Sequence, residues 1–227
     1  MEGIKIDTFL FSFFSIAYIG VLIIGVICLR TYKLKSIVFL LPVIVGLIYD
    51  NGIIAIGQLI GDGEILKRLN LARFWIHAFF TPLLVLFSWK TLEQGEVLWA
   101  KKPLSKFSAY ALTFSLVLFE IFTEVSGLHL VANMENGVLS YSSDEPSSGP
   151  PVMVLIVSLV LLVASIIIWS KQKWKWFFAG SLAMIIGSAV SLPIDSGAIT
   201  NFFELGLITS LLGTAIFQSK NITKDSP

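Results

Sequence analysis

Seven apolar runs divide the chain: Phe9–Leu29, Ser36–Ile60, Leu71–Trp89, Phe107–Ser126, Val152–Trp169, Trp174–Leu192 and Ile199–Phe217. Each approaches the ~20 residues that a helix needs to cross a bilayer. The pattern predicts an all-α fold, a seven-helix transmembrane bundle. Connections are short except for Gly127 to Pro151. The first run is too long for a signal-peptide core and stops at Arg30 without a small-x-small cleavage signal, so it reads as a retained helix. Pro42 and Pro82 fall inside the second and third runs, where they are expected to kink the helices. No internal repeat and no linker interrupts the series, which reads as one integral membrane domain over residues 1–227.

Composition agrees with the pattern. Hydrophobic residues make up 56% of the chain and charged ones 14%, against about 25% charged in a soluble domain. The net charge of +1 is not gathered into any basic domain, which excludes a nucleic-acid binder. The single cysteine, Cys28, allows no internal disulfide and gives no metal-site spacing. It reads as a small core or lipid-facing residue, and neither a metal nor another cofactor is expected.

Charge sets the expected orientation. Twelve of the sixteen Lys and Arg residues follow the first, third, fifth and seventh runs, leaving Lys5, Lys67, Arg68 and Arg73 for the other side. By the positive-inside rule the N-terminus is outside and the C-terminus cytoplasmic, in a multi-pass protein of the cell membrane. The glycosylation sequon at Asn221 then lies on the wrong side to be used. Trp89, Trp99, Trp169, Trp174 and Trp176 fall at the cytoplasmic ends and read as an interfacial belt. The long outer loop, His129–Pro151, is rich in Ser, Gly, Pro and acid and shows no apolar period. It reads as a flexible connector or, more sharply, as a lid over an outer pocket. Gly61-Asp62-Gly63-Glu64 lacks the full pattern of a phosphate or calcium loop and reads as a turn.

Orientation converts sequence position into depth. Asp50 lies ~21 Å along the second helix from its inner end, beside Asn51. The third helix carries Arg73 and His77, at i and i+4 on one face. The fourth carries Glu120 and Glu124, the sixth ends at Pro193-Ile194-Asp195, and the seventh carries Asn201 and Glu204. Every strongly polar residue in the spans therefore falls in the outer half of the bilayer. Hydrocarbon tolerates such groups only when they face a protein interior, a wet cavity or one another. One outer-half cavity is expected, lined by the second, third, fourth and seventh helices. Asp50, Glu120 and Glu204 there outnumber one strong cation, Arg73, and one histidine, His77. The surplus carboxyl is a candidate proton donor.

Structural readings of the same residues stand beside this one: Asp50 and Arg73 as an ion pair pinning two helices, His77 as a hydrogen bond to a neighbouring carbonyl, and Glu124 and His129 as interfacial groups in water. Two histidines are too few for a histidine-based metal hydrolase, no nucleophile elbow is present, and too few basic residues are placed to hold a phosphate. The seventh helix has no lysine for a retinal Schiff base. Acid chemistry or proton-coupled movement remains.

An acid in the second of seven helices and another in the seventh resembles the membrane-bound terpene cyclases of fungal meroterpenoid and indole-diterpene pathways. The resemblance covers the layout. It implies that Asp50 and Glu204 protonate an epoxide or olefin and start cyclisation of a prenyl chain. The family's Trp-Glu dipeptide in the second helix is Tyr49-Asp50 here, and its aspartate in the seventh is Glu204. Tyr49-Asp50-Asn51 together with Arg73-Phe74-Trp75-Ile76-His77 also resembles uncharacterised multi-pass proteins of bacteria and fungi, which implies no activity. The expected catalytic residues are thus Asp50, Glu204 and His77, and the expected binding residues Asn51, Arg73, Glu120 and Asn201. The expected partners are bilayer lipid and a lipid or isoprenoid substrate. A proton-coupled small-molecule transporter or a ligand-binding membrane receptor is the alternative.

Overall fold

The computed structural model describes residues 6–32, 35–144, 151–189 and 196–224, with the side chains described as far as Ser219. The helices are α1 (Ile6–Tyr32), α2 (Ile37–Ile60), α3 (Glu64–Phe80), α4 (Leu83–Gln94), α5 (Pro103–Glu120), α6 (Val152–Gln172), α7 (Trp176–Ala189) and α8 (Ile199–Lys224). A π-helical turn, Ile121–Val125, extends α5, and two strands, β1 (Leu130–Glu135) and β2 (Val138–Ser143), follow it. α3 and α4 form one rod, so the described residues hold seven rods. Six stretches are long and apolar enough to cross a bilayer: 6–32, 37–60, 64–94, 103–125, 152–172 and 199–219. α7, with 14 described residues, is shorter. Pro193, Ile194 and Asp195, expected at the end of that helix, lie outside the described residues, as do Lys5 and Lys33.

Large apolar side chains cover the exterior. Phe9, Ile16 and Ile23 on α1, Phe107, Phe114 and Phe122 along α5, and Leu155 and Leu159 on α6 are all exposed. A soluble surface does not sustain such a girdle; a bilayer solvates it. Inside, Tyr18, Ile44, Phe87, Phe177 and Leu211 are fully buried where α1, α2, α4, α7 and α8 meet. Cys28 joins that core.

Local rules account for the breaks. Proline has no N–H and cannot continue an i→i−4 ladder, and Pro82 ends α3; the chain restarts with Leu84 N–H donating to the Thr81 carbonyl at 3.1 Å. Pro42 lies within α2, which continues through it. Gly61 (φ 81°) and Gly63 (φ 145°) supply the turn between α2 and α3 with conformations that L side chains rarely adopt. That turn matches the sequence reading. α3 begins at Glu64 rather than near Leu71, because Glu64-Ile65-Leu66-Lys67-Arg68 extends the helix past its apolar stretch.

As far as Asp144 the loop after the π-turn is not a structureless connector, and residues 145–150 lie outside the described residues. β1 and β2 pair antiparallel, with Glu135 opposite Val138. The two residues between them, Asn136 (φ 47°) and Gly137 (φ 81°), supply the left-handed pair of a two-residue hairpin turn. The hairpin lies against one end of α2 and α3. Thr8 Oγ1 donates to the Gly137 carbonyl at 2.7 Å, and the Tyr141 hydroxyl donates to Asp62 and accepts from the Gly63 N–H at 3.2 Å. At the same end Asp7 is buried, taking hydrogen bonds from the Ser196 hydroxyl and from the Gly197 N–H at 2.8 Å. These contacts fasten the start of α1 to the entry of α8. This is the hairpin end of the bundle.

The tryptophans divide. Trp99, Trp169 and Trp176 are exposed, as an interfacial belt requires. Trp89 is instead buried and donates to the Ala100 carbonyl at 3.0 Å. Trp174 stacks on Phe217 and donates to Thr214 Oγ1 at 3.0 Å. An indole N–H that finds a partner inside the bundle has no need of the headgroup layer.

Two outcomes test the docking of the hairpin. A Cβ on Gly57 would sit 1.9 Å from the Leu139 carbonyl oxygen, so Gly57→Ala lifts the strands and costs about 1–3 kcal/mol. Thermal unfolding in detergent, and faster cleavage by a glutamate-specific protease at exposed Glu135, measure it. The hydrogen bond to Asp62, aided by partial burial, raises the Tyr141 phenol above its ordinary value, against a smaller lowering by the Gly63 N–H. A raised phenol stabilises the fold fully below the unfolded tyrosine value of about 10, and that stability is lost as pH rises through the folded value. The unfolding temperature therefore falls above roughly pH 10, and falls less in Tyr141→Phe.

Candidate functional site

The site begins with a close approach of two helices. A Cβ on Gly46 would meet Ile76 at 2.9 Å and Phe80 at 3.2 Å, so glycine is what lets α2 and α3 come this near. One turn further along α2, Asp50 faces α3. Arg73 Nε donates to Asp50 Oδ1 at 2.7 Å, and Arg73 Nη1 donates to Asn70 Oδ1 at 2.7 Å. Asn70 is fully buried, and its amide donates to the Leu66 carbonyl at 2.8 Å. The guanidinium is thus held at two points. Tyr49 pins the same helix pair by donating to the Leu69 carbonyl at 3.1 Å. The side chains of Arg73 and Asp50 are 17% and 34% exposed, which leaves the pair facing an open space.

That space is a cavity of about 330 Å³. Asp50, Arg73, His77, Asn201 and Glu204 all line it, so α2, α3 and α8 meet there as the sequence led one to expect. Thr81, Ser158 and Thr200 add hydroxyl groups. The rest of the wall is apolar: Phe11 from α1, Val43, Leu47 and Ile54 from α2, Leu84 from α4, Val154, Val157 and Leu161 from α6, Met184 from α7, and Leu207 and Ile208 from α8. Asp50 and Glu204 belong to the half of their helices nearer the hairpin, Arg73 sits near the middle of α3, and Val43 and Leu84 lie toward the opposite end.

Two expected members are elsewhere. Asn51 is fully buried, and its amide donates back to the Leu47 carbonyl at 2.9 Å within α2. Neighbours on a helix are turned by about 100°, so Asp50 and Asn51 cannot share one face. Glu120 is buried outside the cavity, its Oε1 4.0 Å from His77 Nε2. The fourth apolar run, α5, packs on α3 and α4 and does not reach the cavity; α6 and α7 supply that wall instead. Glu124 and His129 are exposed.

The members differ in what they are free to do. Asp50 is committed to Arg73. His77 Nδ1 lies 3.1 Å from Thr81 Oγ1. Glu204 has no hydrogen-bond or ion-pair partner among the described residues. Tyr18, which the sequence reading did not single out, is fully buried on α1 with its hydroxyl unpartnered among the described residues, within electrostatic reach of Glu204 and Asp50. Its position inside an apolar run hid it. Asn70 was missed as well, although its i, i+3 spacing to Arg73 is visible in the sequence. Among the described residues no three His, Cys, Asp or Glu side chains gather closely enough to hold a metal ion. The arrangement offers one neutralised ion pair, one unpaired carboxyl and an apolar floor.

No protein-family model matches the chain, and no curated protein is similar to it.

The ion pair is the part of this site whose removal is most directly read. Arg73→Leu strands the Asp50 carboxylate and should lower stability by about 2–3 kcal/mol. The double variant Asp50→Leu/Arg73→Leu should regain much of that loss, since it leaves no charge behind. Equilibrium unfolding of the three proteins in detergent checks both.

Proposed function

We propose that this chain is a membrane enzyme that protonates a lipid or isoprenoid held in the cavity, with Glu204 as the acid. The observation that carries the reading is the unpaired Glu204 carboxyl, which opens into the same apolar cavity as an ion pair that is already satisfied. An acid with no cation beside it can give up a proton to a bound chain without first breaking a salt bridge. Asp50, tied to Arg73, is the weaker candidate for that role.

In the proposed step the Glu204 O–H passes its proton to an alkene carbon or an epoxide oxygen, and the glutamate becomes a carboxylate. The positive charge left on the chain lies among largely apolar walls, with Phe11 and Phe80 among the residues that line them. Loss of a proton from an adjacent carbon to a cavity base, or capture of water, ends the reaction and balances the charge. Arg73, with Asn70 behind it, and Asn201 offer donors to a polar head group. The apolar floor takes the tail, so the substrate enters with its head toward the hairpin. The charge asymmetry of the loops supports a hairpin outside the cell and a substrate drawn from the outer leaflet.

Movement or sensing of a small ligand would use the same residues without bond chemistry. The apolar floor argues against transport, since no polar path continues from it.

The test expresses wild type, Glu204→Gln, Asp50→Asn and an empty vector in one host and compares extracted membrane lipids by mass spectrometry. The expected result is a product that wild type makes and Glu204→Gln reduces by about 100-fold or more, with a smaller effect from Asp50→Asn. Equal product from wild type and Glu204→Gln removes Glu204 as the acid. No new product, together with pH-dependent uptake, points to the transporter.

A further inference from the structure

We propose that Glu120 and His77 form a proton relay that enters the cavity from outside it, through the wall between α5 and α3. The relay rests on the reading of the cavity as a site of proton chemistry. It adds a route by which a spent acid is recharged while a greasy substrate blocks the mouth.

The route follows from placement. Glu124, in the π-turn, is exposed, and Glu120 lies one turn before it, buried and within electrostatic reach of it. The π-turn closes with the Ser126 N–H donating to the Ile121 carbonyl at 2.7 Å, an i→i+5 bond. Such turns occur mostly as single insertions, frequently at functional sites. This one packs against α3. On α3, His77 Nε2 is 4.0 Å from Glu120 Oε1, a gap that one ring rotation or one bridging water closes. The other ring nitrogen, Nδ1, is 3.1 Å from Thr81 Oγ1. His77 and Thr81 both line the cavity, and Glu120 does not. The imidazole, 47% exposed, lies between the two, with one nitrogen toward the buried carboxyl and the other toward a cavity hydroxyl.

The proton count closes. Glu120 takes a proton from water by way of Glu124 and passes it to His77 Nε2. The ring releases its Nδ1 proton through the Thr81 hydroxyl into the cavity, where a carboxylate accepts it. Exchange of the Nε2 proton for one on Nδ1 by way of water restores the starting tautomer. The charged and titratable groups facing His77 are Asp50 on α2, Arg73 on its own helix and Glu120 on α5, while Glu204 on α8 shares the cavity. In this arrangement Glu120 is a positioning and relay residue; it touches no substrate.

The chain has only two histidines, His77 and His129, so histidine-labelled protein gives a spectrum that His129→Gln assigns. The experiment measures exchange of the His77 ring N–H with water by NMR in full-length protein in detergent micelles. Glu120→Gln should slow it at least five-fold, while Glu135→Gln, on the exposed hairpin, leaves it unchanged. Unchanged exchange in Glu120→Gln means that protons arrive by the cavity mouth and overturns the relay. If Glu120→Gln does not fold, Glu120→Asp withdraws the carboxyl by one methylene and decides by the same criterion. The outcome is independent of the lipid assay: slowed exchange without a lipid product keeps the relay and removes the enzyme, and the reverse result does the opposite.

Discussion

The contact between Asp50 and Arg73 governs the rest of the bundle. Charge in hydrocarbon is admitted only with a partner at hand, and these two groups meet at 2.7 Å. That pairing fixes the rotation of α2 against α3 and turns both helices' polar faces toward α8. Gly46 permits the approach, Asn70 holds the guanidinium from behind, and Tyr49 staples the next turn. Once the pair is satisfied it no longer competes for the remaining acid. Glu204 is left unpaired among the described residues, and the cavity acquires its chemical asymmetry.

The hairpin end has the opposite character. There the chain uses strand pairing, positive-φ turns and hydrogen bonds to backbone and side-chain groups in place of a buried ion pair. Gly57 lets β2 lie directly on α2, Tyr141 ties it to the α2–α3 turn, and Asp7 secures the entry to α8. Asp50 and Glu204 sit in the halves of α2 and α8 nearer this fastened end.

Much of this was legible in the residues. Apolar runs gave the helices, and Pro82, flanked by apolar residues, gave the break in the third rod. Depth put Asp50, Arg73, His77, Asn201 and Glu204 at a common level, and the packing of α2, α3 and α8 turns all five toward one cavity. The failures also have physical causes. Asn51 was grouped with its neighbour Asp50, but adjacent helical residues point apart, and Asn51 satisfies its amide on its own helix. Glu120 was placed in the cavity by depth, which says nothing about azimuth; α5 packs on the outside of α3. The hairpin was missed because Ser and Asn dilute its alternation, although Asn136-Gly137 is a strong turn signal. Tyr18 and Asp7 escaped notice because a tyrosine in an apolar run and an aspartate at its edge both look ordinary until packing buries them.

The acids of α2 and α8 look into one cavity, and Asn51, beside Asp50, does not. In a Cys28→Ser background, Asp50→Cys with Glu204→Cys is treated with a short bifunctional thiol reagent, beside Asn51→Cys with Glu204→Cys, and internal bridges are read by mass spectrometry. The first pair should bridge within the chain and the second should stay open. Bridging of the second pair but not the first would contradict this arrangement.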